Sequence, residues 1–193
     1  PALDTGLERL RFTALSGGQP LHLAAHTPYA SIDIGGSEVR ALYVAGRFTA
    51  SYPDPEAAEP LAHTLASFAA HPARVLAFGG LEYGALRFLL EHPVRQVVLV
   101  GADGRARELV RRDIPDADRR ALVDPRVREV VDDPRHFLAT TGDTFDLVLQ
   151  LDPEPVTLLS ARLATLEFYR RCAARLAPDG VLVIAVRSAP NLL

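Results

Sequence analysis

Glycine and acidic residues gather at four points along this 193-residue chain, and each could do chemistry. The first is Phe78-Gly79-Gly80-Leu81-Glu82-Tyr83-Gly84. Glycines turn a backbone tightly and let it approach a bound group, and a following helix offers its N-terminal amides. The order is not G-x-G-x-x-G, which argues against a nicotinamide or flavin. A nucleoside site and a ligand-free strand-to-helix turn both fit it. The second point is Val100-Gly101-Ala102-Asp103. Asp103 could accept hydrogen bonds from ribose hydroxyls, though it stands two residues late, or it could cap the next helix. The third is Asp132-Asp133-Pro134. Its acids suit an N-cap before a helix that starts on proline, and equally an adenine amino group. The fourth is Leu151-Asp152-Pro153-Glu154-Pro155. An acid there could act as general base or hold an amine, and a rigid loop with solvated acids is the alternative.

Other reactive residue types form no comparable pattern. Glu59 and His63 lie one helical turn apart without a third metal ligand in view. Ser16 and Ser160 sit in no nucleophile elbow. Cys172, in an apolar helical stretch, reads as a core residue. Arg105, Arg107, Arg111 and Arg112 read as a solvated helix face.

The elements that must position these residues change character near residue 50. Before it, β patterns dominate: 9–15 alternates, Ser16-Gly17-Gly18 turns, 21–25 resumes, and 31–44 reads as a hairpin ended by Gly46. A helix follows over 55–70, stopped by His71-Pro72. Strand candidates then lie at 74–78, 96–100, 127–131, 145–151 and 181–186, with helices at 83–92, 104–112, 134–140 and 158–177. Alternating short apolar strands and helices argue for a doubly wound parallel sheet, with ligands beyond the carboxyl ends of its strands. The expected division is a β-rich region over 1–50 and a Rossmann-like domain over 51–193.

Composition sets the outer limits. With 48% apolar and 23% charged residues, the chain can build a core. Its 21 basic and 24 acidic residues give a net charge of -3, which disfavours nucleic-acid partners. No run approaches the ~18 apolar residues of a membrane span. The single cysteine excludes an intrachain disulfide and a cysteine-based zinc site, and suits a reducing compartment. A cytoplasmic location is the expectation. Pro1 opens a sequence without methionine, as expected of an excised or trimmed segment.

Taken in order, residues 27–186 resemble the spermidine synthase, or polyamine aminopropyltransferase, family. Thr27-Pro28-Tyr29 and Ser31-Ile32-Asp33 are similar to its opening strand. Leu42-Tyr43-Val44-Ala45-Gly46 resembles its next strand, and Glu59-Pro60-Leu61-Ala62-His63 its "E-x-L-x-H" helix. Gly79 to Gly84 stands at its glycine loop. Asp124-Pro125-Arg126-Val127, Asp133-Pro134-Arg135-His136-Phe137-Leu138, Phe145-Asp146-Leu147-Val148-Leu149 and Leu176-Ala177-Pro178-Asp179-Gly180-Val181 continue the series. The resemblance implies a class I methyltransferase-like Rossmann domain behind a small β-rich piece, and a homodimer. It also implies an adenosine-type ligand: decarboxylated S-adenosylmethionine, S-adenosylmethionine or methylthioadenosine. The family moves an aminopropyl group to an amine that carboxylates hold and deprotonate. Residues carried over to the nucleoside are Gly79, Gly80, Glu82, Gly84, Asp103, Asp132 and Asp133, and Glu154 is the catalytic candidate. No metal and no obligatory cofactor are implied.

Five departures fall where that chemistry belongs. Leu151 replaces the first acid after the fourth strand, and Gly101 the ribose-binding acid. Ala30, Ala57 and Ala164 replace a Gln and two Tyr of the amine site. Leu81 and Tyr83 replace loop glycines and are expected to crowd the nucleoside. The expectation is a family member without aminopropyltransferase activity, serving as scaffold, dimerisation unit or ligand sensor. The alternative is an active aminopropyl or methyl transferase working through Glu82, Asp103, Asp133 and Glu154. The family continues through further strands where this sequence stops, so a second subunit or further protein is expected to cover the sheet edge.

Overall fold

The computed structural model describes residues 2–151 and 158–186. Helix α1 (Ala2–Leu15) leads into an antiparallel sheet of β1 (Leu21–His26), β2 (Ser31–Gly36), β3 (Arg40–Val44) and β4 (Arg47–Tyr52), paired in that order. Residues 9–15, expected as a strand, are helical: Leu7, Leu10 and Ala14 keep helical spacing over a longer window. Gly46 does not end the β region. Ala45 and Gly46 both have positive φ, 51° and 75°, and form a tight hairpin turn into the unforeseen β4.

Helix α2 (Pro55–Ser67) begins at Asp54, whose side chain accepts from the Ala57 amide. Then come β5 (Arg74–Phe78), a 3-10 turn (Leu81–Tyr83), α3 (Ala85–Leu89), β6 (Gln96–Gly101), α4 (Gly104–Asp113) and α5 (Asp116–Leu122). They are followed by β7 (Val127–Val131), α6 (Pro134–Thr140), β8 (Phe145–Gln150), α7 (Leu158–Ala161), α8 (Leu166–Ala173) and β9 (Leu176–Ile184). The five strands β5 to β9 form a parallel sheet in the order β7-β6-β5-β8-β9. That is the expected Rossmann-like arrangement.

Alternation along β5 shows how both faces are covered. Val75 and Ala77 pack with Leu81, Leu86 and Ala62, while Leu76 and Phe78 pack with Phe137, Phe168 and Cys172. Burial pushes the Cys172 thiol up to about 12, as befits an inert core residue. Ile32, Ile34, Leu42 and Tyr52 of the antiparallel sheet join the first cluster, so the two sheets share a core.

Element boundaries moved where backbone chemistry intervened. Gly84, at φ 115°, breaks the helix expected over 83–92. Thr165 restarts a helix by accepting from the Phe168 amide, splitting 158–177 in two. Asp179 at φ 62° and a register shift opposite Phe145 and Leu147 let β9 begin at Leu176. No helix among the described residues is long and apolar enough to cross a membrane.

Candidate functional site

The carboxyl ends of β5, β6 and β8 open into a cleft of about 810 Å³, roofed by the antiparallel sheet and the start of α2. Gly79 and Gly80 line it with φ of 70° and 85°, a region that other residues adopt only at a cost. A side chain at Gly80 would also meet Leu151, whose Cβ lies 2.7 Å from where the added Cβ would stand. The first turn thus lays bare backbone along the cleft floor.

Of the residues carried to this site, Gly79, Gly80, Glu82, Asp103 and Asp133 line the cleft. Gly84 and Asp132 do not. Gly84 sits beneath α2, 3.2 Å from the Ala58 methyl to an added Cβ. Asp132 accepts from its neighbour's amide at 2.8 Å and pairs with His136. Glu154 and Asp152 lie outside the described residues.

Asp103 caps α4 by accepting from the Ala106 amide at 2.9 Å, and its other oxygen accepts from the Thr27 hydroxyl. Asp133 caps α6 through the Arg135 amide at 2.8 Å and faces Arg162 at 3.4 Å. Asp54, also on the cleft, caps α2 and takes the Ser51 hydroxyl at 2.7 Å. Three of the four cleft acids therefore also hold helix starts.

Leu81 was expected to crowd the nucleoside. It is fully buried in the core instead and lines no part of the cleft. Tyr83 does line the cleft, and its ring lies parallel to Tyr52 at 6.4 Å, so it packs along a wall and leaves the volume open. Four of the five departures, Ala30, Ala57, Gly101 and Leu151, line the cleft, whereas Ala164 does not. With Ile32, Val44, Phe48 and Leu61, the alanines Ala30 and Ala57 give the roof an apolar stretch.

The arginine face on α4 corrects the sequence reading. Arg112 is exposed and pairs with Glu108. Arg107 and Arg111 instead line the cleft and share Glu129 of β7. The spacing 103, 107, 111 was the available signal, because residues four apart follow one helix face from the cap inward. Glu59 and His63 stay outside the cleft, where His63 Nδ1 and His92 Nε2 lie 2.8 Å apart. Among the described residues, no three metal-ligating side chains come together.

Comparison with known proteins gives this cleft a context. Residues 56–192 match the spermine/spermidine synthase domain family. A polyamine aminopropyltransferase from a Synechococcus species is 38% identical over 115 residues, which is 58% of this chain and 37% of that protein. Polyamine aminopropyltransferase 2 of Streptomyces coelicolor is 32% identical over 187 residues, 95% of this chain and 30% of that protein. The chain thus spans about a third of the length of these relatives. A spermidine synthase solved in complex with the transition-state analogue AdoDATO superimposes with a TM-score of 0.70 at 24% identity. That alignment covers 84% of this chain and 56% of the other. At that identity the likeness speaks for the fold.

Proposed function

The chain belongs to the spermine/spermidine synthase family, and from that premise we propose that its cleft binds an adenosine-type ligand without transferring an aminopropyl group to a polyamine. The observation that carries this reading is Leu151. It stands at the end of β8, on the cleft, where the resemblance places the amine-activating acid. An ammonium group taken out of water needs carboxylates or other acceptors around it. Across the cleft the roof and α2 offer Ala30, Ala57, Leu61 and Phe48, and Asp54 there already takes the Ser51 hydroxyl and the Ala57 amide.

The nucleoside half is better supported. The open volume falls within the range of small-molecule pockets, roughly 300–1,000 Å³, and the paired glycines leave backbone along its floor. The solved relative's adenosine-type analogue adds to that support. Methylthioadenosine, S-adenosylmethionine and its decarboxylated form are the ligands to try first.

The test is calorimetric titration with each of them, followed by turnover with decarboxylated S-adenosylmethionine and a panel of amines. Micromolar binding without methylthioadenosine release is the expected result. Release at a rate that depends on the amine would overturn it and return Glu82, Asp103 and Asp133 to a catalytic role. We also propose a homodimer built through the N-terminal region, with a second copy as the partner. Leu7→Glu with Leu10→Glu, both on the outer face of α1, should then halve the mass seen by light scattering. An unchanged mass would exclude that face.

A further inference from the structure

The end of the cleft beyond β6 differs in charge from a site built for a ribose diol. The first residue past Val100 is Gly101, with no side chain to accept hydrogen bonds. The space above it is taken by Arg107: its Nη2 lies 2.9 Å from where a Cβ on Gly101 would stand. A guanidinium therefore faces the cleft where an acid serves a free diol.

Its existing partners leave this guanidinium underused. Nη1 lies 3.7 Å from Glu129 Oε2 and donates to the Val130 carbonyl at 3.4 Å, both long contacts. Nη2 makes no hydrogen bond among the described residues. Glu129 is held more closely by Arg111, so one carboxylate serves two cations. Arg111 Nε is itself buried without a hydrogen-bond partner. Asp103, the acid on the same rim, is turned to the Ala106 amide and the Thr27 hydroxyl. Arg107 is only 13% exposed, so its charge acts in a poorly screened setting.

We infer that this end of the cleft is an anion subsite, with Arg107 as its principal ligand and Arg111 as support. It takes an oxyanion carried by the ligand near the ribose, such as a 2′-phosphate. Arginine's planar fork suits such a group, and dinucleotide sites use the same exchange of acid for arginine to choose a phosphorylated ribose. The nucleoside part of this ligand rests on the adenosine-type reading above. The anion subsite rests on Arg107 and Gly101 alone.

The test titrates the protein with adenosine, adenosine 2′-phosphate, adenosine 5′-phosphate and inorganic phosphate, and repeats each with Arg107→Gln and Arg112→Gln. Adenosine 2′-phosphate should bind about tenfold or more tighter than adenosine. Arg107→Gln should abolish that preference, and Arg112→Gln, on the outer face of the same helix, should keep it. Circular dichroism and thermal unfolding establish that both variants are folded, and a misfolded Arg107→Gln would be replaced by Arg107→Lys, which should weaken the preference without erasing it. Adenosine binding as tightly as its 2′-phosphate, or a preference that survives loss of Arg107, would overturn the subsite and leave the nucleoside reading standing. Binding of inorganic phosphate through Arg107 without any nucleoside would support the subsite and overturn the nucleoside reading. No binding of any probe would overturn both.

Discussion

Asp118 is nearly fully buried where α5 meets α3, and Arg87 Nε lies 3.3 Å from its Oδ1. The two atoms are misaligned for a hydrogen bond, and both lack another partner. Burial raises the Asp118 carboxyl above the ordinary aspartate range, and Arg87 only partly offsets it. A carboxyl whose pKa is higher in the folded state holds its proton longer there. Its contribution to stability is therefore greatest in acid and declines as pH rises from the unfolded pKa through the folded one. Asp118→Asn removes this titration. Urea midpoints measured from about pH 4 to about pH 7 should show the variant gaining on the parent as pH rises. A gap that stays constant would mean that Arg87 compensates the buried charge. Gly80 offers a second test at this scale. Gly80→Ala combines a left-handed backbone with a clash against Leu151. It should cost about 1–3 kcal/mol and weaken ligand binding, with a lowered melting temperature as the first readout. The same substitution with Leu151→Gly, which removes the Cβ that the added methyl would strike, should recover part of the stability if the clash dominates, and none if the backbone does.

At the scale of elements, α1 has one large buried anchor among its described side chains. Phe12 is fully buried, and an added Cβ on Gly35 would lie only 2.3 Å from its ring. Arg11 adds an ion pair to buried Asp33 at 2.6 Å. Phe12→Ala should cost about 3–5 kcal/mol and release α1, seen as lost helical circular dichroism and faster amide exchange in Leu21–His26. An intact helix signal would place the anchor elsewhere. The central strand β5 was legible in the sequence because burial on both faces demands an unbroken apolar run, and 74–78 was read to the residue; the edge strand 127–131 was also read to the residue, from its three valines. Helix α1 was not legible, because Arg9 to Thr13 satisfies a two-residue period over too short a window. Strand β4 escaped because a turn glycine and a terminating glycine look alike until φ is known. Helix α5 begins after Pro115 without a side-chain cap, and its remaining signals, acids Asp116 and Asp118 in the first turn and Arg119 and Arg120 in the last, are spread over only seven residues without an apolar period.

In the whole molecule, the candidate site was legible where it sits at strand ends and hidden where it depends on the other sheet. Gly79, Gly80, Asp103 and Asp133 follow from the rule that ligands bind beyond parallel strands. The roof formed by Ile32, Val44 and Phe48 requires knowing how the antiparallel sheet packs. So does the grip on α4. Tyr52 donates to Asp113 at 3.0 Å and Arg40 approaches the same carboxylate at 3.8 Å. Burial and that carboxylate together keep the Tyr52 phenol protonated across the working pH range. At the other end of α4, the Thr27 hydroxyl donates to Asp103. These contacts fix the helix that carries Arg107 against the sheet that roofs the cleft, so they should set the cleft's width. Thr27→Val keeps the side chain's shape and removes only the hydroxyl. It should lower affinity for adenosine and for adenosine 2′-phosphate by a similar factor and speed amide exchange at the start of α4. Arg107→Gln should instead affect the phosphate alone. If Thr27→Val leaves both affinities and the exchange rates unchanged, the two sheets hold their spacing through the apolar core, and the polar crossings to α4 only complete it.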